Sequence, residues 1–193
     1  MIIKKKIVTI IGLGLIGSSI LRAFSYYLKN KFYIKVYDNN SEHLKVVKSF
    51  NIADEICNSV EESVKGSDLV ILAIPVGVMA EVGKLISPNL KKGAILTDTG
   101  STKLSVIRDL SPLIPEDVFL VPSHPLAGTE YSGPKAGFYN LFEDRYWIII
   151  SKKHDKNGKY LESLFKKFGS KVEFMDEFYH DKVLAITSHL PHL

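Results

Sequence analysis

Two kinds of residue in this chain could do chemistry: glycines spaced to receive a phosphate, and histidines placed to move a proton. The glycines stand in Gly12-Leu13-Gly14-Leu15-Ile16-Gly17, directly after the apolar run Ile7–Ile11 and before a helical apolar pattern at Ile16, Ile20, Leu21 and Phe24. That order suits a dinucleotide pyrophosphate. Gly12 permits the strand-to-helix turn, and Gly14 lets the backbone approach the phosphates. Gly17 lets the helix pack closely on the strand, while the free N–H groups of the first turn face the anion.

A second apolar run, Tyr33–Tyr37, ends in Asp38, about 20 residues beyond the last glycine, where a ribose-binding acid belongs. A carboxylate there can accept from both adenosine ribose hydroxyls of NAD and would repel the 2′-phosphate of NADP. No arginine follows in Asn39-Asn40-Ser41 to offset that repulsion. Charged hydrogen bonds contribute on the order of 1.5–3 kcal/mol, enough for a tenfold preference, so NAD is the expected cofactor.

The histidines fall later. Val118–Val121 delivers Pro122-Ser123-His124-Pro125-Leu126-Ala127-Gly128-Thr129-Glu130. Pro125 biases His124 towards extended dihedrals, and an imidazole held at a strand end can take or share a substrate proton near neutral pH. The run Thr99-Gly100-Ser101-Thr102-Lys103 follows another apolar stretch and turns into a helix. Its hydroxyls suit either N-capping or a ligand. The strand end Ile74-Pro75-Val76-Gly77 is apolar and suits contact with adenosine or ribose. The stretch Phe178–His192 reads as a helix carrying His180, Asp181, His189 and His192. His189 and His192 share a face if Pro191 bends the helix rather than ending it. No third ligand stands nearby in sequence, so no metal is expected.

The elements that must position these residues alternate from the start. Strands are expected at Lys6–Ile11, Tyr33–Tyr37, Leu69–Ala73, Ala94–Asp98, Val118–Val121, Trp147–Ile150 and Lys171–Phe174. Several are near-continuous apolar runs, as for strands buried on both faces of a parallel sheet. Amphipathic helices are expected at Leu15–Leu28, Glu42–Phe50, Met79–Leu85, Leu104–Leu113 and Gly158–Phe168, with Ser41 as an N-cap and Pro88 and Pro115 marking helix ends. Ser123–Glu143 reads as one long loop, and long loops in compact domains tend to be functional. The alternation opening on a glycine fingerprint implies a doubly wound Rossmann-type α/β domain with a mainly parallel sheet, whose ligands bind beyond the carboxyl ends of the strands.

Composition narrows the classes. The 193 residues carry a formal charge of +4 and 46% hydrophobic residues. The lysines are scattered, and neither Lys4-Lys5-Lys6 nor Lys152-Lys153 has the aromatic interleaving of a nucleic-acid surface. Cys57 is the single cysteine, which excludes an intramolecular disulfide and fits a reducing cytoplasm. The basic start followed by an apolar run imitates a secretory signal, but that run is the first strand and Arg22 interrupts its continuation, so neither export nor a membrane span is expected.

Taken together, Gly12–Gly17, the Ile74-Pro75 strand end, Thr97-Asp98-Thr99-Gly100-Ser101-Thr102-Lys103, His124–Glu130 and Ser188-His189-Leu190-Pro191-His192 resemble, in that order, the prephenate and arogenate dehydrogenases. The resemblance implies an enzyme that oxidises the ring alcohol of prephenate or arogenate while the ring carboxylate leaves as carbon dioxide. It implies that His124 helps remove the hydroxyl proton and that Ser101 contacts the same hydroxyl or the nicotinamide. Thr129 and Glu130 fall on the substrate side, Glu130 as a gate, with His189 and His192 lining the pocket. It further implies residues 1–176 as the NAD-binding domain, and 177–193 as the start of a helix leading to a helical domain that provides a dimer interface and a carboxylate-binding arginine. Arg22, Arg108 and Arg145 do not match that arginine, so a fragment of a longer enzyme is expected. Two alternatives stand beside this reading. One is another Rossmann reductase such as a β-hydroxyacid dehydrogenase, which would need a lysine from a later helix. The other is a non-catalytic NAD-binding module.

Overall fold

The apolar runs become a six-stranded, wholly parallel sheet in this computed structural model, which describes residues 5–189 and side chains over 5–186. Strands β1 (Lys6–Ile11), β2 (Phe32–Tyr37), β3 (Glu55–Ile56), β4 (Leu69–Leu72), β5 (Ile95–Asp98) and β6 (Phe119–Leu120) lie in the order β3-β2-β1-β4-β5-β6. The connections include α1 (Leu15–Tyr27), α2 (Ser41–Phe50), the single turn α3 (Val60–Ser63), α4 (Met79–Ile86) and α5 (Lys103–Leu110). Strand order reverses between β1 and β4, the switch point where ligands of such sheets bind.

Side-chain alternation divides the core between the two faces. Leu69 and Ile71 of β4 join Val8, Ile10, Ile20 and Phe24 on one side. Val70 and Leu72 join Met79, Ile86, Val106 and Leu110 on the other. Burial on both faces explains why these strands read as unbroken apolar runs rather than alternating ones.

Three expectations are corrected here. Trp147–Ile150 and Lys171–Phe174 do not extend the parallel sheet. They form β8 (Tyr146–Ile150) and β9 (Lys171–Met175) of a separate three-stranded sheet, joined through α6 (Lys156–Phe165). Ser123–Glu143 is not wholly loop, because Ser123–Pro125 is a strand, β7, antiparallel to β8 with His124 opposite Ile148. Ser41 is not the cap of α2. Asn40 is, its side chain accepting from the Glu42 N–H at 2.9 Å. The short β3 and α3 had no pattern long enough to announce them.

The chain leaves the first sheet at Val121, whose N–H still bonds Leu96, and enters the second at Pro122, whose carbonyl accepts from Ile150. One core serves both sheets. Trp147 of β8 stacks on Phe165 at 3.8 Å with rings 9° from parallel, and Phe142 and Phe168 complete the cluster against α1. The Trp147 indole N–H donates to Ser123 Oγ at 3.0 Å, tying this cluster to the residue before His124. Trp147→Ala should cost about 3–5 kcal/mol of stability in urea denaturation, through cavity formation and loss of that bond. Trp147→Phe, which fills most of the space, should cost much less.

Candidate functional site

The carboxyl ends of β1, β2, β4 and β5 bring the sequence-predicted residues to one edge. Gly12 N–H donates to Tyr37 O, Ala73 N–H to Ile11 O, and Thr99 N–H to Leu72 O, so the glycine turn, the Ile74-Pro75 end and the Thr99-Gly100 turn are neighbours there. Gly12 adopts φ +89°, which a side chain rarely takes, and a Cβ on Gly17 would run into the Gly12 carbonyl. Gly14 differs from both, because a Cβ there would meet nothing within 4 Å. The first turn of α1 holds no acidic residue of its own, so its N–H groups and dipole face that open space. Leu15 and Ile16 belong to the same turn.

A cavity of about 460 Å³ adjoins it, lined among others by Gly12, Gly14, Asp38, Ile74 and Pro75. Asp38, only 8% exposed, accepts the Leu13 N–H through Oδ2 at 2.6 Å and the Asn40 N–H through Oδ1 at 2.8 Å. The residues therefore fit a dinucleotide: open space at a helix N-terminus for phosphates, an apolar wall for the base, and an acid for the ribose.

The second half of the site was only partly visible in sequence. Asp98, with no solvent exposure, pairs with the equally buried Lys103. Its carboxylate also takes the Gly100 N–H at 2.7 Å and the Ser123 N–H at 3.2 Å, while Lys103 Nζ donates to Ser123 O at 2.7 Å. Burial disfavours both charges, pushing Asp98 up and Lys103 down, and each opposes the other's shift. The pair locks the turn carrying Ser101 to the strand carrying His124.

His124 Nδ1 lies 3.1 Å from His180 Nε2, and His180 Nδ1 lies 2.7 Å from Asp181 Oδ1. Both His180 and Asp181 come from α7 (Glu177–His189). Asp181 is held in turn by the Lys103 N–H at 2.8 Å and the Leu104 N–H at 3.0 Å. It therefore caps α5 from outside, and neither Ser101 nor the N-cap residue Thr102 does so. Ser101 is left exposed, with its hydroxyl free of any hydrogen bond within the described residues. Burial pushes the Asp181 carboxyl up, but these N–H groups and His180 outweigh it and hold the acid below its usual range. The tautomers follow by deduction. An ionised Asp181 accepts from His180 Nδ1–H, which leaves His180 Nε2 to accept from His124 Nδ1–H. His124 Nε2 then keeps a lone pair and can act as a base. Burial first, then the Lys103 ammonium and His180, push His124 from its ordinary 6.5 down to about 3, against an opposing pull from Asp181. The imidazole is therefore neutral at physiological pH.

His180, Asp181, Lys103 and Asp98 were in view in the sequence but had no assigned work. Lys103 carried a signal, since a cation in the first turn of a helix opposes the helix dipole and needs another reason to be there. Thr129 and Glu130 are both exposed, and Thr129 Oγ1 accepts only from the Tyr131 N–H at 3.2 Å. The His189 side chain and His192 lie outside the described residues. Cys57 is buried and its thiol is pushed up to about 12, so it offers no nucleophile.

Fold and site together define a nucleotide-binding α/β domain with an acid–imidazole chain joined to the carboxyl end of β5. Residues 24–174 match the family model for the nucleotide-binding domain of prephenate dehydrogenase, and the chain belongs to this family. It is 40% identical over 190 residues to a cyclohexadienyl dehydrogenase of Zymomonas mobilis, covering 97% of this chain and 64% of that protein. It is 35% identical over 195 residues to a prephenate dehydrogenase of Lactococcus lactis, covering 97% of this chain and 51% of that one. The fold superposes on the crystal structure of prephenate dehydrogenase from Aquifex aeolicus in complex with hydroxyphenyl propionate and NAD+ with a TM-score of 0.87 at 32% identity, covering all of this chain and 67% of that one. The chain thus spans about half to two thirds of the length of the curated relatives it matches. No helix among the described residues is long and apolar enough to cross a membrane.

Two outcomes test this electrostatic arrangement. Between pH 6.5 and about 3 the unfolded chain binds a proton at His124 that the folded chain refuses, so stability should fall as pH drops through that window. His124→Asn should make this dependence shallower in thermal melts, the remainder belonging to His180, which burial also holds below its usual range. Lys103→Met should cost about 3–5 kcal/mol in chemical denaturation, because it leaves Asp98 charged, buried and unpaired.

Proposed function

We propose that this chain provides the NAD-binding and proton-transfer half of a dehydrogenase that oxidatively decarboxylates prephenate to 4-hydroxyphenylpyruvate, in tyrosine biosynthesis. The observation that carries the reading is the Asp181–His180–His124 chain, which leaves one imidazole nitrogen as a base next to Ser123, itself bonded to Asp98 at the carboxyl end of β5. The family membership and the NAD+ held by the Aquifex aeolicus relative support it. So do Asp38 and the absence of lysine or arginine from the described lining of the adjoining cavity, both of which favour NAD over its 2′-phosphorylated form.

A dinucleotide held by the Gly12–Gly17 turn, Asp38 and the Ile74-Pro75 end would supply the acceptor for two electrons and the hydrogen of the ring carbinol carbon. The protein's part is to control the proton. His124 Nε2 takes it from the ring hydroxyl, and the positive charge that develops is shared through His180 with Asp181. Ser101, exposed at its turn, orients the hydroxyl from the other side. The C–C bond to the ring carboxylate then breaks, carbon dioxide departs, and the bonding pair enters the ring. His124 returns its proton to the phenolic oxygen, so the protein ends as it began. Aromatisation makes the sequence effectively irreversible. Thr129, Glu130, His189 and His192 are assigned to the substrate side on the family resemblance alone.

Arogenate shares the cyclohexadienol ring that His124 addresses and differs only in the side chain. The 40% identity to a cyclohexadienyl dehydrogenase keeps it as a second substrate. A homodimer and a cytoplasmic location complete the proposal.

The test is reduction of NAD by the purified chain, followed by absorbance, with prephenate or arogenate. Prephenate-dependent reduction is expected. A folded chain that binds NAD and reduces none with either substrate would mean that these residues do not suffice for turnover, leaving an NAD-binding fragment. His124→Asn should lower kcat by about 10²–10⁴-fold with little change in NAD affinity. His180→Gln, which breaks the link to Asp181, should give a smaller loss, again in kcat.

A further inference from the structure

Asp38 is less free than a ribose-binding acid is usually drawn. An ionised carboxylate offers about four acceptor positions, two on each oxygen. Oδ1 already takes the Asn40 N–H at 2.8 Å. Oδ2 takes the Leu13 N–H at 2.6 Å and has His43 Nδ1 at 3.2 Å. One position remains, on Oδ1, whereas the ribose of an unphosphorylated dinucleotide presents two hydroxyl donors. His43 stands in the first turn of α2 and lines the same cavity as Asp38. With its Nδ1–H turned to the carboxylate, its Nε2 is left as an acceptor. The charged residues of the described lining are otherwise Asp38 and Glu81, both anionic.

We propose that His43 is a second specificity-determining residue of the ribose subsite, acting with Asp38. It fixes the carboxylate rotamer from the α2 side and adds the acceptor that Asp38 lacks for the second hydroxyl. A 2′-phosphate brings acceptors only, and it would meet the Asp38 carboxylate in a described lining that holds no lysine or arginine. Discrimination against the phosphorylated dinucleotide therefore belongs to the pair and not to the acid alone. Nothing in the sequence pattern marked His43, because only the turn after β2 brings its ring back to Asp38.

This inference rests on the reading that the cavity takes NAD, and it is tested by binding rather than turnover. Dissociation constants for NAD and NADP would be measured by calorimetry on the whole chain and on His43→Ala and His43→Asn, with thermal melts run on each. His43→Ala should weaken NAD about tenfold, the loss of one to two hydrogen bonds, and NADP less than threefold, so that the ratio of the two constants falls. His43→Asn keeps a donor near the Nδ1 position but has no acceptor where Nε2 stands, and should weaken NAD about threefold, between the parent and His43→Ala. A ratio unchanged within twofold in His43→Ala would overturn the assignment, including the case in which both dinucleotides weaken equally through damage to α2. If the parent chain itself fails to bind NAD, the cofactor reading fails first; if it binds and only the ratio stands still, the role of His43 alone fails.

Discussion

Asp98 and Lys103 form an ion pair wholly removed from solvent, and the rest of the site is arranged around it. Two buried charges are costly, and their mutual attraction offsets that cost only when the remaining hydrogen-bonding positions are also filled. Here they are filled by the site's own backbone. Gly100 N–H and Ser123 N–H bind the carboxylate, and the Ser123 carbonyl takes the ammonium. The requirement to satisfy one ion pair thus fixes the relative positions of the turn bearing Ser101 and the strand bearing His124. The Ser123 hydroxyl extends the network by donating to Asp98 O, and it accepts from Thr97 and Trp147. The aromatic core of the second sheet is thereby coupled to the edge of the first.

The same lysine acts at longer range on His124. The burial of the imidazole, the lysine's charge and His180 all disfavour protonation, while Asp181 alone pulls the other way. An imidazole in this setting rests neutral, with Asp181 placed to favour its protonated form. Asp181 also caps α5 through the Lys103 and Leu104 N–H groups, so the helix end and the relay share one carboxylate. Placement of α7 against α5 is therefore an electrostatic matter as well as a packing one.

The nucleotide half follows a different logic. There the backbone leaves open space at Gly14 beside the start of α1, and Asp38 and His43 are joined on the wall of the adjoining cavity. The two halves meet because β1, β4 and β5 are parallel and in register, which brings Leu13, Ile74 and Thr99 to a common edge.

The sequence by itself determined the parallel sheet, the glycine turn, Asp38 and the identity of His124 as the candidate base. Each depends on local pattern: apolar runs for strands buried on both faces, glycines where φ or close approach demands them, and a proline that keeps its neighbour extended. Local pattern could not separate β8 and β9 from the first sheet, because the same apolar run serves either. Nor could it find β7, whose three residues pair with a strand more than twenty positions away. The relay, the buried ion pair and the His43–Asp38 contact were decided by tertiary structure alone. His180 and Asp181 stand far from His124 and Lys103 in sequence, and it is only the docking of α7 on α5 that gives an imidazole and a carboxylate their partners.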